Sequence, residues 1–222
     1  MQDYHLLELQ IALSPSDPRH EMPEIPQSCA RVLDVGCGAG QTLIACKLPN
    51  SCELYGVDTD LQAIALGKRL SQNISFLVAS GERLPFPKAH FDFVFSRVAL
   101  PYMHIPKALR EFHRVLKPGG QVWLLLHPFT IVKDQILHDF KTLRVKDLAY
   151  RCFVVVNGIA LHACGVQFRY PMKRDRCGSF QTTAGMRRAL EQAGFADLQM
   201  RREPQLVATA VKPARAGDPP LA

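Results

Sequence analysis

The sequence has no C-x-x-C pair, no internal repeat and no run of 18 apolar residues. Its seven cysteines, at 29, 37, 46, 52, 152, 164 and 177, are scattered and odd in number. That excludes a disulfide framework or a zinc site as the organising feature, and no metal is expected. Most of these thiols read as small buried hydrophobes, and their usage fits a reducing cytoplasm. The longest apolar candidate, Cys152 to Val166, is interrupted by Asn157, Gly158 and His162, so no membrane span is expected. The first residues lack a basic segment followed by an apolar run, so no signal peptide is expected either. What remains is a chain of 222 residues, 47% hydrophobic, enough for one α/β domain with a full core. The net charge of +7 is unevenly placed: residues 1–110 carry 10 Lys+Arg against 11 Asp+Glu, and residues 111–222 carry 17 against 9. A basic half is either a solvated face or a meeting place for an anionic substrate or nucleic acid.

The stretch Val32-Leu33-Asp34-Val35-Gly36-Cys37-Gly38-Ala39-Gly40 organises the rest. Val32, Leu33 and Val35 are apolar and β-favouring, so a short buried strand is expected. Three glycines at alternate positions then make a turn in which a ligand could lie against bare backbone. A helical pattern follows from about Gln41. Strand, glycine turn and helix N-terminus together form a nucleotide-binding corner. The dinucleotide spacing G-x-G-x-x-G would put its third glycine at position 41, which is Gln41. Further on, Leu54-Tyr55-Gly56-Val57-Asp58 reads as a second strand ending in a carboxylate that can accept two ribose hydroxyls. A carboxylate there also repels a 2′-phosphate.

The remaining pattern alternates. A short helix is expected near Tyr4–Leu13, followed by a Pro-rich link through Pro15, Pro18, Pro23 and Pro26. Strands are expected at about 31–36, 52–57, 74–79, 91–96 and 121–126, with helices at about 40–48 and from Asp60 and Pro106. Lys117-Pro118-Gly119-Gly120 is expected to stop the helix before strand five. Near-continuous apolar strands alternating with helices argue a parallel sheet covered on both faces. Residues 128–180 break the alternation. Val132, Ile136, Leu137, Phe140 and Leu143 fit one helical face, and 147–164 read as a second helix weakened by Gly158. A basic stretch with Arg169, Lys173, Arg174 and Arg176 follows. The alternation resumes at Thr183, taken as an N-cap, with a helix over Gly185–Ala193 ended by Gly194. A hairpin around Glu203-Pro204 follows, and the tail 213–222 is expected to be disordered.

Four motifs in order carry a resemblance to the class I S-adenosylmethionine-dependent methyltransferases: Asp34-x-Gly36-x-Gly38-x-Gly40, Gly56-Val57-Asp58, Glu82-Arg83-Leu84-Pro85-Phe86 before Phe91-Asp92, and Arg114-Val115-Leu116-Lys117-Pro118-Gly119-Gly120. The pattern is most similar to the small-molecule group that includes quinone C-methyltransferase-like enzymes. The resemblance implies a Rossmann-like fold with a seven-stranded, mostly parallel sheet, an antiparallel last strand and helices on both faces. It implies one methyltransferase domain over 1–212, with 1–28 as an N-terminal cap and 128–180 as a helical substrate cover. It also implies S-adenosyl-L-methionine as cofactor. Asp34, Gly36, Gly38 and Gly40 would meet its methionine end and Asp58 its ribose. Ser80 stands where the family has an acidic residue facing the adenine. Thr59, Gly81, Glu82 and Ser96 complete the expected cofactor-binding set, although Glu82 reads more readily as a tie for its loop.

Methyl transfer from a sulfonium is an in-line displacement, and positioning can supply about 7–11 kcal/mol of barrier reduction. If the acceptor must lose a proton, Tyr102, His104 and His127 are the candidate bases, since they follow strands four and five at the carboxyl edge. No Asn-Pro-Pro-Tyr-type sequence, the mark of an amino-nitrogen methylase, follows strand four; Ser96-Arg97-Val98 stands there. The expected partner is a small-molecule acceptor with an anionic group, methylated on oxygen, carbon or nitrogen. The apolar helices of 128–180 would serve a homodimer equally well. The rival readings are an RNA methyltransferase, a non-catalytic S-adenosylmethionine-binding protein and a nicotinamide-dependent oxidoreductase, the last disfavoured by Gln41 and by the conjunction of motifs.

Overall fold

Val32, Leu33 and Val35 have no solvent exposure, because the strand they form lies inside the sheet and is covered on both faces. In the computed structural model, which describes residues 2–129, 132–133, 136–138, 145–172 and 177–214, that strand is β1 (Arg31–Val35). It pairs in parallel with β2 (Glu53–Asp58) on one side and β4 (Phe91–Arg97) on the other. β3 (Ile74–Val78) extends the sheet beyond β2, and β5 (Leu116–Leu125) lies in parallel against β4. β6 (Ala196–Arg201) and β7 (Val207–Val211) complete the order β3-β2-β1-β4-β5-β7-β6, and β7 runs antiparallel to both of its neighbours. The fold is the seven-stranded Rossmann-like sheet that the sequence led us to expect. The strand order reverses between β1 and β4, so the crevice for a ligand lies at their carboxyl ends.

The two faces have separate cores. On one, α2 (Gln41–Cys46) and α3 (Leu61–Leu70) bring Leu43 and Ile64 against Val32, Ile74, Phe76, Phe93 and Phe95. On the other, α4 (Ile105–Val115) and a late helix (Thr183–Gln192) pack Leu109, Phe112, Met186 and Leu190 against Leu33, Val35, Val94 and Leu124. Asp60 caps α3 as expected, accepting the Gln62 and Ala63 N–H groups at 2.8 and 3.2 Å. Among the described residues, no helix is long and apolar enough to cross a membrane, and no group of His, Cys, Asp or Glu is placed to hold a metal.

Several boundaries differ from expectation. Lys117–Gly120 does not stop α4 short of a strand; it is already part of β5. Gly119, at φ 78°, lets the chain turn in place, and its N–H and the Gly120 carbonyl bond the Lys212 backbone at 2.8 Å each. The half-buried Asp92–Lys117 ion pair (2.6 Å) anchors the same corner, with the other Asp92 oxygen taking the Ala30 and Arg31 N–H groups. The helix over 147–164 is a continuous α5 (Val145–Cys164), undisturbed by Gly158. That glycine is a packing choice, because a Cβ there would enter the Phe180 ring. Asn157 beside it spans to the returning chain, donating to the Phe168, Cys177 and Gly178 carbonyls and accepting the Phe168 N–H at 2.7 Å. The late helix, α6 (Thr183–Gln192), is capped by Thr182, not Thr183, through the Gly185 N–H at 3.1 Å. Gly194 ends it at φ 96°. Phe140, Leu143, Lys173, Arg174, Arg176 and the tail from 215 lie outside the described residues.

Candidate active site

The glycine turn after β1 is drawn under β2: Gly36 and Cys37 donate their N–H groups to the Val57 carbonyl at 2.8 and 3.0 Å. Gly38 then donates to Asp58 Oδ2 at 2.8 Å, while Asp58 Oδ1 takes the Asp60 N–H at 2.9 Å. Two of the roughly four lone-pair positions of the Asp58 carboxylate remain for a ligand. Gly36, Gly38 and Gly40 all sit at positive φ, 78°, 55° and 78°, where side chains are disfavoured. They do different work. The place of a Gly36 Cβ is filled by Ala99, and Gly38 leaves room for His5 and Gln41. A Gly40 Cβ would strike the Phe76 ring at 2.6 Å. Gly40 therefore serves helix-on-sheet packing and does not line the cleft.

Two cavities meet at this corner, sharing Gly36, Asp58, Ala99 and Tyr102. The first, about 330 Å³, contains Asp34, Thr42, Arg97 and His127 and is roofed by Tyr4, His5 and Glu8 of α1 (Gln2–Leu13). The second, about 610 Å³, contains Thr59, Ser80, Gly81 and Glu82 and is bounded by Tyr150 and Arg151 of α5. The result is one bent cleft with an arm on each side of the glycine turn.

Electrostatics differ between the arms. Asp34 is 1% exposed, and its Oδ1 has no hydrogen-bond partner among the described residues. Burial, followed by the like charge of Asp58, raises its pKa well above the usual carboxylate range, against a smaller opposing effect of Arg97. A buried carboxylate in that state calls for a cation or a donor. Arg97 does not satisfy it directly; its guanidinium is turned to the N-terminal segment, where it meets Glu8 at 3.0 Å and the Glu21 and Arg19 carbonyls at 3.2 and 3.4 Å. With Arg201–Glu21 at 2.5 Å and His5–Gln41 at 2.9 Å, it straps residues 5–21 over the first arm. No local sequence pattern signals these contacts, since the partners lie 36 to 180 positions apart.

Beyond β4 the chain passes through Val98 at φ 58°. A β-branched residue there is a strained conformer, and it sets Ala99 against Gly36. The 3₁₀ turn Leu100–Tyr102 follows. Tyr102 meets His127 edge-on at 5.7 Å between ring centres, so two of the three candidate bases come together where the arms join. Burial lowers the His127 pKa, so its imidazole is neutral at pH 7, and burial raises that of the Tyr102 phenol. His127 is fixed by its backbone, whose N–H and carbonyl bond the side chain and N–H of Gln181 at 3.0 and 2.9 Å.

Three expected site residues stand elsewhere or act differently. His104 is the N-cap position of α4 and does not line either arm; its Nδ1 is buried without a partner among the described residues, and burial lowers its pKa. Ser96 lies inside β4 with no exposure and lines neither arm, its Oγ likewise without a partner among the described residues. Glu82 lines the second arm, but its oxygens are engaged by the His104 N–H at 3.0 Å and by the Arg169 guanidinium. Thr59, Ser80 and Gly81 line the second arm as expected. Ser80 Oγ also accepts the Glu82 N–H at 3.2 Å.

The cleft suits a ligand with a cationic end, a ribose and a planar base: an unpaired carboxylate in one arm, a part-satisfied one at the bend, and a hydroxyl-lined second arm. Comparison with known proteins agrees. The family described as "Methyltransferase domain" matches residues 33–124. A Rickettsia bellii protein named ubiquinone/menaquinone biosynthesis C-methyltransferase UbiE is 29% identical over 191 residues, 79% of this chain and 72% of its own. Among solved structures, a chain of the Haloferax volcanii complex containing the Trm112 methyltransferase activator has a TM-score of 0.62 at 16% identity, covering 98% of this chain and 97% of that one. An S-adenosylmethionine-dependent methyltransferase from Mesorhizobium loti has a TM-score of 0.56 at 18% identity, covering 84% and 93%. At those identities the structural matches speak to the fold.

Proposed function

We propose that this chain is a class I S-adenosylmethionine-dependent methyltransferase, a reading supported by the matching methyltransferase domain, and that it methylates a small, planar organic acceptor of quinol type at the junction of the two arms. The observation that carries the reading is the pairing of an uncompensated, fully buried Asp34 in one arm with the neutral Tyr102–His127 pair at the bend. When bound, S-adenosylmethionine supplies an electrophilic methyl group on a sulfonium with a good leaving group.

In this reading Asp34 takes the ammonium, which favours the ionised carboxylate and offsets its burial. Asp58 takes the ribose hydroxyls with its two remaining lone-pair positions. The Ser80–Gly81 backbone and hydroxyl border the base. Gly36 and Ala99 bring the wall close at the bend, holding the reacting groups in line. His127, neutral because partial burial lowers its pKa, accepts the acceptor's proton on a ring nitrogen, and Tyr102 orients the ring edge-on. Tyr150 and Arg151 of α5 border the second arm beside Tyr102. The name of the Rickettsia bellii relative supports a quinone-related acceptor. The aromatic pair at the bend supports a flat one.

The test is methyl transfer from isotope-labelled S-adenosylmethionine to a panel of hydroquinones, catechols, aliphatic amines and short RNAs. Labelling of the hydroquinones above the others is expected. Preferential labelling of RNA, with the steep salt dependence that phosphate contacts impose, would replace the small-molecule reading with an RNA one.

A further inference from the structure

Among the described residues, the chain returning from α5 is fastened to the rest of the domain at four places. Gln167 Oε1 accepts the Ile105 N–H at 2.6 Å, and Ser179 donates its N–H to the Pro101 carbonyl at 3.3 Å. Gln181 brackets the backbone of His127. The fourth fastening is Arg169, which pairs with Glu82 across 87 positions of sequence. The first three hold backbone, at Ile105, Pro101 and His127. Arg169 alone of the four reaches a side chain that lines the second arm.

Glu82 is well placed to pass on what happens there. Its side chain is 15% exposed. One oxygen holds Arg169 and the other holds the N–H of His104, so a single carboxylate joins the loop after β3, the entry to α4 and the segment after α5. The loop itself has little slack. Ser80 Oγ takes the Glu82 N–H, and a Cβ on Gly81 would lie 2.7 Å from both Met103 Sδ and Val35 Cγ1. A ligand that orders Ser80–Glu82 therefore also orders the far side of the ion pair. Arginine suits the contact because its planar fork meets a carboxylate in fixed geometry, which a lysine reproduces only as a point charge.

We propose that Arg169 is a positioning residue which, through Glu82, couples the cofactor arm to the acceptor-side cover: cofactor binding tightens the segment after α5, and that segment in turn raises cofactor affinity. The proposal rests on the reading that the adenosine of the cofactor lies in the second arm. Reciprocity is a thermodynamic requirement, so both directions must be measurable and equal in size. The consequence for turnover is an order of events, in which the acceptor site is completed after the cofactor has bound.

The experiment needs no acceptor. Calorimetry of the full chain with S-adenosylhomocysteine compares the parent with Arg169→Gln, Arg169→Lys, Glu82→Gln and the double variant Arg169→Gln/Glu82→Gln. Hydrogen exchange of peptides spanning 165–172 is followed with and without the same ligand. Arg169→Gln is expected to weaken binding about fivefold or more, the low end of typical coupling between sites. Arg169→Lys should restore part of the loss, and the double variant should be little worse than the weaker single one. Ligand should slow exchange over 165–172 in the parent and leave it unchanged in Arg169→Gln. If Arg169→Gln does not fold, the isosteric Glu82→Gln breaks the same contact from the other end. A parent that binds, with a variant that binds equally and shows the same slowing, overturns the coupling and leaves an ordinary structural ion pair. A parent that does not bind the ligand at all overturns the cofactor reading, and the coupling with it.

Discussion

Replacing Asp34 with asparagine should push stability and function in opposite directions. In the free protein the carboxylate is 1% exposed, one oxygen lacks a partner among the described residues, and Asp58 adds like charge. Its pKa is therefore raised well above the usual carboxylate range. The unfolded chain loses this proton near pH 3.8 while the folded chain keeps it, so the group reduces stability progressively as pH rises from there to the raised folded value. Asparagine keeps the shape and does not titrate. An unsatisfied buried polar group costs about 1–3 kcal/mol, and in a chain of this size 1 kcal/mol corresponds to about 2–4 °C in Tm. Asp34→Asn should thus melt a few degrees higher than the parent at pH 8, with a smaller difference at pH 5. Cofactor binding should suffer. A hydrogen bond to a charged group is worth about 1.5–3 kcal/mol, which is about a 10- to 150-fold rise in Kd. Thermal scans at the two pH values and calorimetry with S-adenosylmethionine read both effects. A variant that binds within twofold of the parent, or melts lower at both pH values, would refute the claim that Asp34 is held ready for a cation.

Asp58→Ala should weaken S-adenosylhomocysteine binding about ten- to a hundred-fold, given charged hydrogen bonds of roughly 1.5–3 kcal/mol; equal affinity would mean the ribose is held elsewhere. Burial lowers the His127 pKa from 6.5, so the rate should rise with pH along a limb centred below 6.5 and be flat above it, and His127→Gln should remove that limb. Binding of S-adenosylmethionine below the raised pKa of Asp34 should release a proton, seen as a buffer-dependent heat in calorimetry that Asp34→Asn abolishes. Gly158→Ala should destabilise the fold although alanine favours helix, because overpacking against Phe180 costs about 1–3 kcal/mol against a propensity gain of about 1; a Tm at or above the parent's would show that the ring can move aside.

Features decided by short-range chemistry were legible in the sequence. The glycine turn, Asp58 at the end of β2 and the Asp60 cap are each written in a short run of residues, and all stand where expected. Features decided by contacts far along the chain were not. Gly158 looked like a weak point in a helix because nothing local names Phe180 as its neighbour. Gly40 looked like a third cofactor-facing glycine, but it makes room for Phe76 of β3. His104 and His127 both follow a strand end, yet the 3₁₀ turn carries Tyr102 to the bend and leaves His104 at the helix entry. The strained Val98 and the Arg97 strap have no local signal, because each serves a partner supplied by another element. The reading of Glu82 as a loop tie did anticipate its engagement with His104, but not with Arg169.

The most direct test is a crystal structure of the full chain with S-adenosylhomocysteine. The account predicts the ligand's ammonium on Asp34, its ribose hydroxyls on Asp58, its base beside Ser80 and Gly81, and its sulfur facing the Tyr102–His127 junction. A ligand bound away from the Gly36 turn, or one that leaves the Asp34 carboxylate unpaired, would contradict it.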